Sequence, residues 1–432
     1  MRAALWFLAL FGTAVAIALF AGNNQGTVTL FWPPYRMDLS LNLVLVLLGL
    51  AFFLLYVALR SLAILFAIPK HARRWRVQHQ EQAVHMALVD ALSHFIAGRF
   101  IRAKKAAQTV LTQERLMAGG GETLQYSGRL RALAHLLAAE SAQVLQDKTQ
   151  RESHFRQSLE QLAHRDGQEA REGLQLRAAR WALEDRDPEA ALAWLNELPQ
   201  GAARRTVALR LRLKAARLAG QTRQALETAR LLAKHGAFSE LAALRILRGL
   251  ALELVAAARD PQQVRTVWLE LDEAEQLMPD VAAAACARLV RLGGDGECAL
   301  SWLLPVWEIM SREPAALTDE QRIGVVRAFD AAFCAASGAQ QASWLTRIEQ
   351  AHLARPADAV LQYLAGMACM RRQLWGKAQQ LLQQALPRLQ NAALERSAWA
   401  ALAELAERRE EPGAATQAWK RAGQIGADLG AV

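Results

Sequence analysis

The chain has 432 residues, enough for two or three domains and a large buried core. It is rich in Ala, Leu, Arg, Gln and Glu and sparse in Tyr, Pro and β-branched residues beyond the first seventy positions, which excludes a strand-based fold and predicts an all-α body. The net charge of +10 is uneven: seven basic residues against Asp38 give +6 in the first 76 positions, while 44 basic and 40 acidic groups interleave in the rest, excluding the concentrated basic face of a nucleic-acid binder.

The first predicted element is an uncharged, almost continuously apolar run from Ala3 to Ala21, followed by Gly22-Asn23-Asn24-Gln25-Gly26. At about 1.5 Å per helical residue such a run just crosses a hydrocarbon core of about 30 Å. A cleavable signal peptide is the competing reading. The run exceeds the usual signal core of about 7–15 residues, and a second candidate span follows at hairpin distance. That second stretch, Leu39 to Leu59, is extended by Ser61 to Ile68 beyond Arg60, longer than a bilayer requires, which predicts tilt or an interfacial exit turn.

The expected organisation is a transmembrane helical hairpin over 1–69, with spans at about 3–21 and 40–66, then a basic juxtamembrane linker over 70–82. The positive-inside rule assigns both ends of the hairpin to the cytoplasm, with Arg60, Lys70, Arg73, Arg74 and Arg76 as topology determinants. Residues Thr27 to Ser40 then face outward, with Trp32, Pro33, Pro34 and Tyr35 suited to an interfacial aromatic belt and turn. Val28 to Trp32 suits a short extended piece.

From 83 to 426 apolar residues recur at three- and four-residue spacing, interrupted by short breaks such as Gly98-Arg99, Asp147-Lys148, Arg186-Asp187-Pro188, Gly220-Gln221 and Glu411-Pro412-Gly413. This rhythm predicts helical hairpins in series, a tetratricopeptide-like α-solenoid, with a tail over 427–432. Setting Trp181–Leu198 over Ala215–Leu232 superposes Ala191-Leu192 on Ala225-Leu226 at an offset of 34, the tetratricopeptide period. Small and aromatic residues expected to pack the repeats are Gly98, Phe100, Ala103, Ala191, Ala225, Ala378, Trp399, Ala403, Ala415 and Trp419. The region Leu241 to Met310, punctuated by Pro261 and Pro279, keeps the rhythm but not the motif.

Catalytic, cofactor and metal motifs are absent from the sequence: it contains no phosphate loop, dinucleotide fingerprint, HExxH or GxSxG. Cys286, Cys298, Cys334 and Cys369 form no CxxC and read as small core residues in a reduced compartment. The nine histidines include no pair at i, i+4, so no metal or haem ligand is expected. Gly293-Gly294-Asp295-Gly296 reads as a turn.

The arrangement resembles the HemY tetratricopeptide membrane proteins of proteobacteria. The likeness rests on the amino-terminal hairpin, Gly22, Gly26-Thr27-Val28 and Ser40, the basic exit ending Arg73-Arg74-Trp75-Arg76, the first helical hairpin around Ala91 to Ala107, and Leu136 to Gln143. The resemblance implies a multi-pass protein of the bacterial inner membrane with a cytoplasmic solenoid. It further implies a scaffold or regulator of late haem (protoporphyrin) biosynthesis with no catalytic residues to carry over, whose partners are proteins, above all haem-pathway enzymes; no cofactor is expected, and haem or porphyrin binding has no support in the sequence. An unrelated flavin-dependent porphyrinogen oxidase shares the family's name, but this sequence lacks its amino-terminal dinucleotide fingerprint. The alternative is a membrane-tethered tetratricopeptide adaptor for another envelope pathway, such as control of lipopolysaccharide synthesis. That type has one span and a carboxyl-terminal metal ribbon on cysteine pairs, which this chain lacks.

Overall fold

A computed structural model of the chain describes residues 2–22, 26–119, 126–162 and 168–430. Three residues of the expected turn, Asn23 to Gln25, lie outside the described residues, as do Gly120, Gly121 and the last two positions of the expected tail. The chain resolves into two compact units, Met1–Ala170 and Arg171–Val432, where one repeat-bearing body over 83–426 was expected.

The first unit opens with helix α1 (Arg2–Gly22) and a two-stranded antiparallel sheet, β1 (Thr27–Trp32) and β2 (Tyr35–Ser40), joined by Pro33-Pro34. The expected extended piece is thus half of a β-hairpin. Ser40 then caps helix α2 (Leu41–Ile96), its hydroxyl accepting from Leu43 N at 3.4 Å. This helix has 56 residues and is about 84 Å long at 1.5 Å per residue. The basic segment 70–82, expected as a linker, is part of it. Arg, Gln and His are compatible with helix, so the change in charge marks no change in backbone.

Within α2, Leu41–Leu62 is long and apolar enough to cross a membrane, with mean hydropathy 2.6 and none of its window buried. The corresponding apolar stretch of α1 is Leu10–Leu19 among the described residues, shorter than the roughly 20 residues of a crossing. Among the described residues one helix meets the requirement for a span, and the second span of the expected hairpin is not tested by them.

The far end of α2 packs on α3 (Phe100–Gly119), α3 on α4 (Ser127–Val144), and α4 on α5 (Lys148–Gln161). Small residues permit the close approach: Ala91, Ala103, Ala107, Ala134 and Ala138 are fully buried, with Val84 and Val110 filling beside them. Ser158 Oγ on α5 donates to the Ala132 carbonyl on α4 at 2.8 Å, tying that hairpin together.

In the second unit the hairpins follow one another: α6 (Gln168–Glu184) with α7 (Pro188–Asn196), then the short α8 (Gln200–Ala203), and α9 (Thr206–Leu218) with α10 (Thr222–Lys234). Helices α11 (Glu240–Ala257), α12 (Pro261–Glu270) and the short α13 (Glu273–Gln276) lead to α14 (Pro279–Arg291) and α15 (Gly296–Arg312). Pro261 and Pro279 occupy the first helical turns of α12 and α14, where a missing N–H costs nothing, so the prolines that blur the motif begin helices here. The chain continues through α16 (Asp319–Ala335), α17 (Gly338–Ala354), α18 (Ala359–Arg371), α19 (Trp375–Ala385), α20 (Ala392–Arg408) and α21 (Pro412–Gly430). Helix α21 extends through most of the expected tail.

One turn recurs. Arg99, Asp147, Asp187, Gln221, Ala237, Gly294, Leu374 and Glu411 each donate a backbone N–H to the carbonyl five residues earlier, at 2.8–3.0 Å. The residue before each donor, namely Gly98, Gln146, Arg186, Gly220, Gly236, Gly293, Gln373 and Glu410, has φ between 59° and 81°. This is the Schellman closure, which satisfies the last carbonyls of a helix and reverses the chain. Arg186 and Gly220 are 34 residues apart, the offset that aligns Ala191 with Ala225; both alanines are fully buried.

The core of the second unit is aromatic at its centre. Trp268 stacks on Trp302 at 4.7 Å between ring centroids, and Trp307, Phe329 and Trp344 form a cluster with centroids 4.8–6.1 Å apart.

Candidate functional site

Three places concentrate chemistry. The first is the amino-terminal apolar surface. Along Leu41–Leu62 the large side chains of α2 are exposed, among them Leu47, Phe52, Phe53 and Tyr56. A soluble helix hides such residues, and a continuous exposed apolar stretch of this size marks a membrane or partner surface. Of the topology-determining residues, Arg60 is exposed on α2. Lys70, Arg73, Arg74 and Arg76 have helical backbone, and their side chains lie outside the described residues.

The second is a histidine pair in the α4–α5 hairpin, which the search for i, i+4 spacing passed over. His135 Nδ1 and His154 Nδ1 are 3.1 Å apart, so one nitrogen donates and the other accepts. Burial pushes the His135 imidazole down to about 4, with His154, Arg115 and Arg131 acting in the same direction. His154 is lowered as well, by burial first and then Lys104, against an opposing pull from Asp147. The pair is neutral at neutral pH. Among the described residues no third histidine, cysteine or carboxylate completes a metal site there, and the surrounding cations oppose a bound cation. The readable signal was hairpin geometry: the two residues lie eleven before and eight after the turn residue Gln146.

The third is a row of arginines at a spacing of 33: Arg322, Arg355 and Arg388. They share a cleft of about 690 Å³ with Asp319, Asp358 and Asn391. Arg355 donates to the carbonyls of Met310 at 3.4 Å, Ser311, and Arg312 at 2.9 Å, at the end of α15. Arg388 reaches Pro356 and Ala357 O, each at 3.5 Å, and the Gln362 side chain. Arg322 pairs with Asp358, which caps α18 by accepting from Val360 N and Leu361 N at 3.0 and 3.2 Å. Arg355 thus complements the dipole at the carboxyl end of α15, and with the Arg322 and Arg388 contacts this row staples successive hairpins.

The surroundings of all four thiols favour the protonated form. Burial pushes Cys286 up to about 12 and Cys369 up to about 11, and raises Cys298 and Cys334. Cys286 and Cys369 are buried as expected; Cys298 is half-buried and Cys334 exposed.

Among the expected packing residues, Ala103, Ala191, Ala225, Ala378 and Ala403 are fully buried and Ala415 nearly so. Phe100 and Trp399 are half-buried, Phe100 meeting Phe95 edge-on at 5.6 Å. Two residues play other parts. Gly98 is exposed and serves the turn, at φ 71° with nothing within 4 Å of a Cβ. Trp419 is 42% exposed and donates its indole N–H to Glu407 at 2.7 Å, because no later helix among the described residues covers α21.

Against solved structures, the chain superposes on the APC/C hetero-tetramer Cut9–Hcn1 with TM-score 0.28 and 12% identity over 80% of this chain and 69% of that one. It superposes on the P58(IPK) TPR domain with TM-score 0.21 and 13% identity over 80% of this chain and 99% of that one. Superpositions this loose bear on neither fold nor function; the repeat architecture rests on the recurring turns and helix pairs. No curated protein matches the chain. Residues 26–146, which include the β-hairpin, α2, α3 and α4, match the family described as HemY protein N-terminus. That segment of the chain is therefore similar to the amino-terminal domain of HemY proteins.

Proposed function

We propose that the chain is a membrane-anchored, non-enzymatic helical-repeat scaffold serving late haem (protoporphyrin) biosynthesis, which gathers partner proteins at the cytoplasmic face of the inner membrane. The observation that carries this reading is the continuity of α2. One 56-residue helix begins with an exposed apolar stretch and ends as a core helix of the first repeat-like hairpin, contributing Val84 and Ala91. Anchor and first hairpin thereby share one continuous helix, and tethering raises the effective concentration of whatever the hairpins bind without new chemistry.

Helix α1 is the second crossing in this reading, and the basic residues after Leu59 hold the repeats on the cytoplasmic side. The match of residues 26–146 to the HemY amino-terminal family supports the link to haem synthesis. Raised thiols, a neutral histidine pair and arginines spent on helix ends support a binding role over catalysis.

The test is deletion of the chain followed by measurement of porphyrin and lipopolysaccharide pools in the same cells. The expected outcome is accumulated porphyrin intermediates with unchanged lipopolysaccharide. Unchanged porphyrin with altered lipopolysaccharide would assign the scaffold to the other pathway.

A further inference from the structure

The β-hairpin has two chemically distinct faces. Its register pairs Val28 with Leu39, Leu30 with Met37 and Trp32 with Tyr35, and because side chains alternate along a strand these three apolar pairs share one face. The opposite face holds Thr27 with Ser40, Thr29 with Asp38 and Phe31 with Arg36. The polar face carries its own ion pair, while Phe31 on it is 72% exposed. Arg36 Nε lies 3.6 Å from Asp38 Oδ1, and its guanidinium covers the Phe31 ring at 5.3 Å from the centroid.

At its base the apolar face is half-buried at Val28 and Leu39, and beyond them nothing among the described residues covers it. Leu30 is 51% exposed, Met37 57%, Tyr35 72% and Trp32 75%. A two-stranded hairpin in water is marginal by itself and needs a surface against its apolar side. The base of the hairpin is fastened to α2: Leu41 N donates to Gly26 O at 2.9 Å, and the apolar stretch Leu41–Leu62 starts at the residue after β2. The hairpin therefore sits where that stretch ends, with Trp32 and Tyr35, residues enriched at membrane–water boundaries, at its tip.

We propose that the hairpin is an interfacial anchor which lies on the outer leaflet of the bilayer with Val28, Leu30, Trp32, Tyr35, Met37 and Leu39 among the lipid head groups and upper acyl chains, and Thr29, Arg36 and Asp38 toward water. This rests on the reading of Leu41–Leu62 as a span. The occupant is lipid because the apolar face adjoins the apolar helix surface with only Ser40 between them. The hairpin acts as a stop that fixes how far α2 enters the membrane.

The test places the photo-reactive residue p-benzoylphenylalanine singly at Leu30, Trp32, Met37, Thr29, Asp38 or Phe52 in the full chain. Each variant is reconstituted in phosphatidylethanolamine/phosphatidylglycerol vesicles, irradiated and examined for lipid adducts by mass spectrometry. Adducts are expected at Phe52, Leu30, Trp32 and Met37, at least fivefold above those at Thr29 and Asp38. Adducts at Phe52 with no difference between the two hairpin faces would overturn the interfacial anchor and leave the span standing. Chain-to-chain cross-links in place of lipid adducts at Leu30, Trp32 and Met37 would assign the face to a second copy and overturn it too. Absence of adducts at Phe52 as well would remove the span and the anchor together.

Discussion

Gly296, at the start of α15, lies directly against the end of α16: a methyl group on it would sit 2.5 Å from Ala336 N and 2.6 Å from Ala332 O. Backbone cannot swing aside as a flexible side chain does, so Gly296→Ala forces the two helices apart at an expected cost of about 1–3 kcal/mol. Gly324 in the middle of α16 has nothing within 4 Å, and Gly324→Ala is expected to stabilise by up to about 1 kcal/mol through helix propensity. Opposite shifts of the urea unfolding midpoint check the pair; equal shifts would contradict the packing described.

The recurring turn predicts a second pair of opposite effects. Gly220 has φ 71° and Arg186, at the equivalent position, φ 61°. Gly220→Ala puts a Cβ into the left-handed region and is expected to cost about 1 kcal/mol, while Arg186→Gly relieves that strain and is expected to stabilise by a similar amount. Thermal midpoints of the two variants report the signs.

The histidine pair predicts acid sensitivity in the first unit. Both imidazoles are held below 6.5 in the folded chain, His135 at about 4, whereas the unfolded chain titrates near 6.5. Between those values the unfolded state binds more protons, so stability is complete above about 6.5 and falls as pH drops toward 4, by about 1–3 kcal/mol. His154→Gln removes the facing imidazole, and its midpoint is expected to fall less steeply over the same range. A slope identical to that of the parent chain would show that the pair does not titrate with unfolding.

Arg355 predicts a specific loss. Its guanidinium serves three carbonyls at the end of α15, and Arg355→Ala leaves them without that donor at a cost of about 1–3 kcal/mol. Arg355→Lys supplies charge without the planar fork, so it is expected to restore less than half of the loss in the same unfolding measurement.

The helical body was largely legible because its signals are local. The offset that put Ala191 over Ala225 is the offset between the turns at Arg186 and Gly220, and both alanines are buried. Breaks at Arg99, Asp147, Asp187, Gln221 and Glu411 fall at Schellman closures, five of the eight. What escaped depends on pairing across distance or on backbone that charge does not mark. The apolar face of the β-hairpin appears only once Val28 is known to oppose Leu39, and His135 meets His154 only once α4 and α5 are folded together. The basic stretch 70–82 suggested a linker, yet the helix runs through it because those residues favour helix. Trp419 follows the packing pattern of its neighbours and is half uncovered, since a repeat residue is buried only where another helix lies upon it.

The most direct test of the scaffold is affinity purification of the full chain from membranes in mild detergent, with partners identified by mass spectrometry. The proposed function predicts recovery of haem-pathway enzymes, and their loss when Phe52→Arg and Leu55→Arg together disrupt the anchor. Recovery of no haem-pathway protein with the intact chain would contradict it.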